Sequence, residues 1–189
     1  MIIGITGGTG CGKTTLLKEI EARGGLVLDC DAVYHELLTR DCALLNAIND
    51  RFPGVVVDKK LERKKLGAIV FADEQALRDL NAITHGAIKA EIVRRLSEKP
   101  KLAAIDAIAL FEGGLAHLCD TTVAITAPRA ERVARLMKRD GISYEYAENR
   151  INAQKSESWF RQMCDHTLHN DGTPEEFREK CSEFLDHIL

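Results

Sequence analysis

The sequence predicts an α/β fold: a five-stranded parallel sheet with helices on both faces, carrying a helical insertion and a helical lid. Three observations carry this expectation. Short apolar runs alternate with helical patterns along most of the 189 residues, which is how βαβ units read in sequence. A glycine-rich loop, Gly7-Gly8-Thr9-Gly10-Cys11-Gly12-Lys13-Thr14, separates the first apolar run from the first helix. The stretch 41–99 breaks the alternation and is mostly helical in its periodicity.

In chain order, strands are expected at 2–6, at 26–29, within 102–110, at 121–126 and at 166–169. Helices are expected at 14–23, 32–39, 129–139, 144–154 and 174–187. The last has strong start chemistry, with Thr173 as N-cap, Pro174 at the first helical position and Glu175-Glu176 in the first turn. Inside 41–99, segments 61–71 and 74–98 are periodic, whereas Val55-Val56-Val57 is too isolated to assign as a strand. The expected organisation is one domain. Its core comprises 1–40 and 100–189, with a lid at about 129–155, and 41–99 is a helical insertion that would hold a second substrate. Ligands of such sheets sit beyond the carboxyl ends of the strands, where the glycine loop also falls.

An apolar fraction of 45% suits a globular chain with a core, and a formal charge of −3 argues against general binding to nucleic acid or a membrane surface. Six cysteines are scattered without a C-x-x-C pair, so neither a zinc site nor a redox dithiol is indicated. No leader is expected ahead of the first strand, and no apolar run approaches the ~20 residues of a membrane span. These features suit a soluble cytoplasmic protein with reduced thiols.

The loop satisfies G-x-x-x-x-G-K-[ST], the phosphate-binding P-loop, between a strand and a helix. In such a loop successive N–H groups turn inward around phosphates, and the helix start adds a positive dipole end. Gly10, Cys11, Gly12, Lys13, Thr14 and Thr15 are therefore expected to bind ATP, with Lys13 on the β/γ-phosphates and Thr14 on Mg²⁺. No N-K-x-D guanine-reading motif and no D-x-x-G switch is present, which disfavours a GTPase.

Asp29 and Asp31 close the second strand, and in an extended segment positions two apart share a side. One carboxylate would accept the proton of an attacking hydroxyl and the other help organise hydrated Mg²⁺; alternatively Asp31 caps the helix starting at Ala32. Arg132, Arg135 and Arg139 form one stripe on a helix, either a lid closing over ATP or a solvated basic face. The run Lys59-Lys60-Leu61-Glu62-Arg63-Lys64-Lys65 either attracts an anionic substrate or is simply solvated, and His85 reads first as a packed helix histidine. Asp106 and Glu112 flank the end of the third strand, where a Walker-B-type acid would sit, and Ile108-Ala109-Leu110-Phe111 reads as buried strand.

Together these pieces resemble the dephospho-coenzyme A kinase family over nearly the whole chain. The family's opening G-I-T-G-G-x-G-x-G-K-T/S runs from Gly4 to Thr14, and its D-A-D is similar to Asp29-Cys30-Asp31. Its R-x-x-L is Arg63-Lys64-Lys65-Leu66, and its L-N-x-I-x-H-P is Leu80 to His85 with Gly86 in place of proline. Its D-V-P-L-L-F-E is similar to Asp106 to Glu112, without the proline around Ala109, and its lid pattern runs from Glu131-Arg132 through Arg139-Asp140-Gly141 to Arg150-Ile151-Asn152-Ala153-Gln154. Its A-D-x-x-I-x-N-x-G is similar to Cys164 through Gly172.

The resemblance implies a P-loop NTPase fold and ATP-dependent phosphorylation of the ribose 3′-hydroxyl of dephospho-coenzyme A. It implies Asp31, Lys13 and Arg139 as catalytic residues, with Asp29, Asp31, Arg63 and His85 on the acceptor. Asn170 and Gly172 are implied near the adenine, and Thr14 on Mg²⁺. A monomer with at most weak self-association is expected, and the net charge of −3 argues against a nucleic-acid partner. A nucleoside or nucleoside-monophosphate kinase of the same fold, or a regulatory nucleotide-binding module, are the competing expectations.

Overall fold

A computed structural model describes residues 1–40 and 42–189. The start of the expected insertion, residue 41, lies outside the described residues. The chain divides into two compact units, Met1–Leu28 with Pro100–Leu189, and Asp29–Lys99.

The first unit is built on β1 (Ile2–Thr6), which α1 (Lys13–Ala22) and β2 (Leu26–Asp29) follow in sequence. Beyond the second unit come β5 (Ala103–Asp106), β6 (Thr121–Thr126), α6 (Arg129–Asp140), α7 (Tyr144–Asn152), α8 (Glu157–Met163), β7 (His166–His169) and α9 (Pro174–Ile188). The sheet is five-stranded and parallel, in the order β2-β5-β1-β6-β7. β1 lies centrally, with Ile5 in register with Asp106 on one side and Val123 on the other.

Alternation sorts the side chains. Ile3 and Ile5 of β1, Val123 and Ile125 of β6, and Leu168 of β7 share a core with Leu16, Leu17 and Ile20 of α1 and Phe177, Cys181 and Leu185 of α9. Those helical residues recur at three and four positions, so each helix presents one apolar stripe to the sheet. Asp165 fixes the β6–β7 register, its Oδ2 accepting from both the backbone N–H and the hydroxyl of Thr122 at 2.8 Å.

Two features of this unit depart from the expectation. The third strand stops at Asp106, and Ile108-Ala109-Leu110-Phe111 forms turns rather than buried strand, with Ile108 37% exposed and Leu110 buried. α8 was not expected; Ser156 caps it, accepting from the Trp159 N–H at 3.1 Å, and Phe160 buries against the core.

The second unit holds α2 (Cys30–Arg40), α3 (Cys42–Arg51), β3 (Val56–Val57), β4 (Lys60–Leu61), α4 (Arg63–Val70) and α5 (Glu74–Leu96). Its core gathers Leu38, Leu44, Leu45, Ile48, Phe52, Val55, Leu66, Val70 and Ala76. The isolated Val56–Val57 pairs with Lys60–Leu61 as an antiparallel hairpin, apart from the main sheet. Asp58 and Lys59 at its tip both have positive φ, 49° and 60°, the twist that suits a two-residue hairpin loop. α5 starts at Asp73, whose Oδ1 accepts from the N–H groups of Gln75 (2.7 Å) and Ala76 (3.2 Å). It continues without a break through Gly86, where the family pattern's proline would have interrupted it. Among the described residues no helix is long and apolar enough to cross a membrane.

Candidate active site

β1 delivers the glycine loop to its own carboxyl end. Gly7 has φ 138°, and a Cβ there would stand 2.2 Å from the Ile125 carbonyl oxygen, so the backbone runs hard against β6. Gly12 has φ 97° and ψ 27°, a left-handed conformation that turns the chain into α1, and no side chain caps that helix. An uncapped start leaves the first-turn N–H groups and the dipole's positive end to whatever anion approaches. Inside the loop the Cys11 N–H donates to Gly8 O at 3.2 Å.

The Lys13 ammonium folds back over the loop, donating to Gly7 O at 3.2 Å and lying 3.9 Å from Asp106 Oδ1. Asp106 is the last residue of β5, the position of a Walker-B-type acid, and both side chains are only 15% exposed. Thr14 is exposed in the first turn of α1. The Cys11 thiol is 3% exposed within the core, and burial pushes its pKa up against the opposing charges of Arg132 and Lys13. Cys11 therefore offers its backbone to the loop and no thiolate nucleophile.

The loop is held from outside by residues whose part in it sequence spacing missed. Arg132 Nε donates to Thr9 O (3.0 Å), Arg135 Nη1 to Gly10 O (3.2 Å) and Asn170 Nδ2 to Cys11 O (2.9 Å). Gln154 Oε1 accepts from the Thr9 N–H (2.8 Å) and from Arg132 Nη2 (3.3 Å). The arginine stripe thus grades from the buried Arg132, 8% exposed, to Arg139, whose side chain is 60% exposed. Arg139 pairs with the Asp140 carboxylate through Nε at 2.6 Å and Nη2 at 2.9 Å, and Arg150 joins it at 2.5 Å. These two guanidiniums pull the Asp140 pKa down to about 2. Gly172 lies exposed just before the cap of α9.

Cavities open in this unit among the described residues. One of about 340 Å³ lies beside the loop and is lined by Ala127, Arg129, Arg132, Gln154, Lys155 and Glu157 among others. Another, of about 350 Å³, lies where α1 meets the start of α9, lined by Thr15, Lys18, Glu19, Pro174, Glu175 and Arg178.

In the second unit the structure corrects the local reading of the two aspartates. The helix begins at Cys30, and the cap is Asp29, whose Oδ1 accepts from the N–H groups of Asp31 (2.9 Å) and Ala32 (3.2 Å). Asp31 is not the cap; it stands exposed in the first helical turn, its carbonyl 2.7 Å from His35 Nδ1. The strand therefore ends one residue after Leu28, and the period-two argument for a shared side does not extend from Asp29 to Asp31. Arg63 opens α4 in an exposed position, and its charge lowers the pKa of Tyr34 against a larger rise from burial. His85 is half-buried on α5.

A glycine loop between a strand and an uncapped helix, with a lysine and a strand-end aspartate beside it on this sheet, defines the P-loop NTPase class. The fold is shared with a shikimate kinase from Acinetobacter baumannii, which aligns at TM-score 0.57 and 18% identity over 100% of this chain and 92% of that one. The chain belongs to the dephospho-CoA kinase (CoaE) family, whose profile matches residues 1–176. A dephospho-CoA kinase of Anaeromyxobacter dehalogenans is 37% identical over 190 residues, covering 97% of this chain and 90% of its own. One from Bacillus licheniformis is 30% identical over 192 residues, covering 98% and 96%. Among solved structures, a Thermus thermophilus protein aligns at TM-score 0.83 with 32% identity over 100% of this chain and 98% of its own. The Campylobacter jejuni dephospho-CoA kinase aligns at TM-score 0.69 with 26% identity over 99% and 96%.

Proposed function

We propose that this chain transfers the γ-phosphoryl group of ATP to the ribose 3′-hydroxyl of dephospho-coenzyme A, yielding coenzyme A and ADP. The observation that carries the reading is the uncapped start of α1 behind the glycine loop, with Lys13 and Asp106 3.9 Å apart beside it, in a chain that aligns end to end with dephospho-CoA kinases.

Phosphoryl transfer is mostly positioning and charge neutralisation, and the residues divide the work accordingly. The backbone N–H groups from Gly10 to Thr15 hold the phosphate tail. Lys13 exchanges its Gly7 carbonyl for a β/γ oxygen. Mg²⁺ suits the donors present, since the Thr14 hydroxyl and the Asp106 carboxylate are hard oxygens of the kind it prefers. The substrate's phosphates complete such a shell, so no dedicated protein cage is required; none of three or more His, Cys, Asp or Glu occurs among the described residues. When bound, the ion neutralises charge on the β- and γ-phosphates.

Arg139 is the lid contact in this reading and must leave Asp140 to reach the transferring group. Asp31 accepts the proton of the 3′-hydroxyl or orients it. Asp29, with Oδ1 committed to the α2 cap, keeps Oδ2 for the acceptor. Arg63 and His85 contact the acceptor as well, and the segment of Asn170 and Gly172 borders the adenine. A net charge of −3 supports a small-molecule acceptor over nucleic acid. A monomeric cytoplasmic enzyme completes the proposal.

The test is ADP release measured with dephospho-coenzyme A, adenosine, AMP and no acceptor. Stimulation by dephospho-coenzyme A alone is expected. Stimulation by AMP or adenosine in its place would move the chain to the nucleotide or nucleoside kinases, and no turnover with any acceptor would make it a binding module.

A further inference from the structure

Three consecutive carbonyls of the loop each receive a side-chain donor. Those of Thr9, Gly10 and Cys11 are held by Arg132, Arg135 and Asn170 at 3.0, 3.2 and 2.9 Å. Both arginines have a further acceptor: Arg132 donates to Gln154 Oε1 at 3.3 Å and Arg135 to Asn170 Oδ1 at 3.4 Å. Gln154 Oε1 further accepts the Thr9 N–H at 2.8 Å, so the Thr9 residue is gripped at both its N–H and its carbonyl.

A loop that binds an anion through its N–H groups has a specific weakness. Each peptide plane can rotate, and a rotated plane points a carbonyl oxygen at the phosphate in place of an N–H. Fixing the carbonyls from outside is the direct remedy, since rotation then breaks a hydrogen bond from a charged or buried donor. The two donors at the ends of the series, Arg132 and Asn170, are 8% and 6% exposed, where a lost partner is not replaced by water.

We propose that Arg132, Arg135, Gln154 and Asn170 are positioning residues that lock the phosphate loop in its anion-binding conformation. Arg132 lies on α6 and Gln154 two residues beyond α7, so the α6–α7 hairpin is rooted on Thr9 by both of its ends. Loop geometry and hairpin position are then one mechanical unit, and a hairpin that shifts at its root loosens the grip on nucleotide. Two loop glycines fit this role. A Cβ on Gly8 would stand 2.2 Å from Arg132 Nη2 and 3.2 Å from Gln154 Oε1, and one on Gly12 would stand 2.4 Å from Asn170 Nδ2. The clamp presses on the backbone where a side chain would push it away.

The inference rests on the reading that this loop takes the phosphates of ATP, and the experiment separates the two. Inorganic tripolyphosphate, which reaches the loop but carries no nucleoside, is titrated against the wild type and against Gln154→Ala, Gly8→Ala, Arg135→Met and Arg135→Lys. Gln154→Ala removes no charge, so its effect on an anion cannot be Coulombic. The clamp predicts that Gln154→Ala, Gly8→Ala and Arg135→Met each weaken tripolyphosphate binding and raise the KM for ATP by about tenfold or more. The KM for dephospho-coenzyme A stays near wild type in the variants that fold, and Arg135→Lys recovers most of the loss. A folded Gln154→Ala that binds tripolyphosphate as the wild type does overturns the proposal. If Gln154→Ala does not fold, the half-exposed Arg135→Met decides in the same way. A wild type that binds tripolyphosphate yet phosphorylates no dephospho-coenzyme A defeats the proposed function and leaves the clamp to be judged on its variants; a wild type that binds none defeats the clamp.

Discussion

Lys13 is the residue whose removal changes most for least structural cost. Its ammonium makes one hydrogen bond, to Gly7 O, and faces Asp106 at 3.9 Å, so Lys13→Ala leaves the fold intact and takes a positive charge from the transferring phosphate. Turnover should fall by about 10²–10³-fold or more, and near-normal turnover in a folded variant contradicts the role. Asp31 makes a complementary case. Because Asp29 and not Asp31 caps α2, Asp31→Asn disturbs no cap, and a drop in kcat of about 10²-fold with the KM for ATP unchanged is the signature of a group acting on the acceptor hydroxyl. Full kcat would remove Asp31 from the chemistry. The glycine loop itself was legible in sequence because its signature lies in eight adjacent residues, Gly7 to Thr14. Arg132, Gln154 and Asn170 meet it across 123, 145 and 159 positions, a separation that no spacing rule detects. The Asp29–Asp31 pair was misread locally because the strand gives way to helix between them, which changes the period from two to 3.6.

At the scale of elements, chemistry written into adjacent residues was readable and chemistry that depends on distant packing was not. The start of α9 came through as expected: the Thr173 hydroxyl accepts from the Glu176 N–H at 3.2 Å while Glu176 Oε2 accepts from the Thr173 N–H at 2.8 Å. Thr173→Ala loses half of this box and should cost about 1 kcal/mol in denaturant unfolding; no change would mean that α9 is held by its buried Phe177, Cys181 and Leu185 alone. α8 escaped because it spans only Glu157–Met163, too short for periodicity to register. The apolar Ile108–Phe111 imitated a strand because its composition is that of one, although only Leu110 of the four is buried. Within α5, Glu91 is 9% exposed and accepts from Arg94 and Arg95 at 2.8 Å, and Arg95 also reaches Glu36 at 2.5 Å. Hydrogen bonds from these two arginines lower its pKa from 4.5 to about 2. A carboxylate with a depressed folded-state pKa contributes stability that is complete above its unfolded value and is lost as pH falls through the folded one. Glu91→Gln should therefore lower the melting temperature at pH 7, with the gap to wild type closing between about pH 4.5 and 2. A gap independent of pH would assign the loss to packing.

The molecule as a whole joins a parallel-sheet unit that carries the phosphate loop to a helical unit spanning Asp29–Lys99. The sequence marked residues 41–99 by a change of hydrophobic period, from alternating runs to sustained helix; the compact helical unit begins earlier, at Asp29, and takes in α2. The activity ascribed to the whole chain is transfer of one phosphoryl group to one hydroxyl, and identifying the product tests it most directly. A single turnover with stoichiometric ATP and dephospho-coenzyme A, followed by phosphorus and proton NMR of the product, should show a phosphomonoester on the ribose 3′-carbon together with ADP. A phosphoester at any other position, or ADP formed with the acceptor recovered unchanged, would contradict the account.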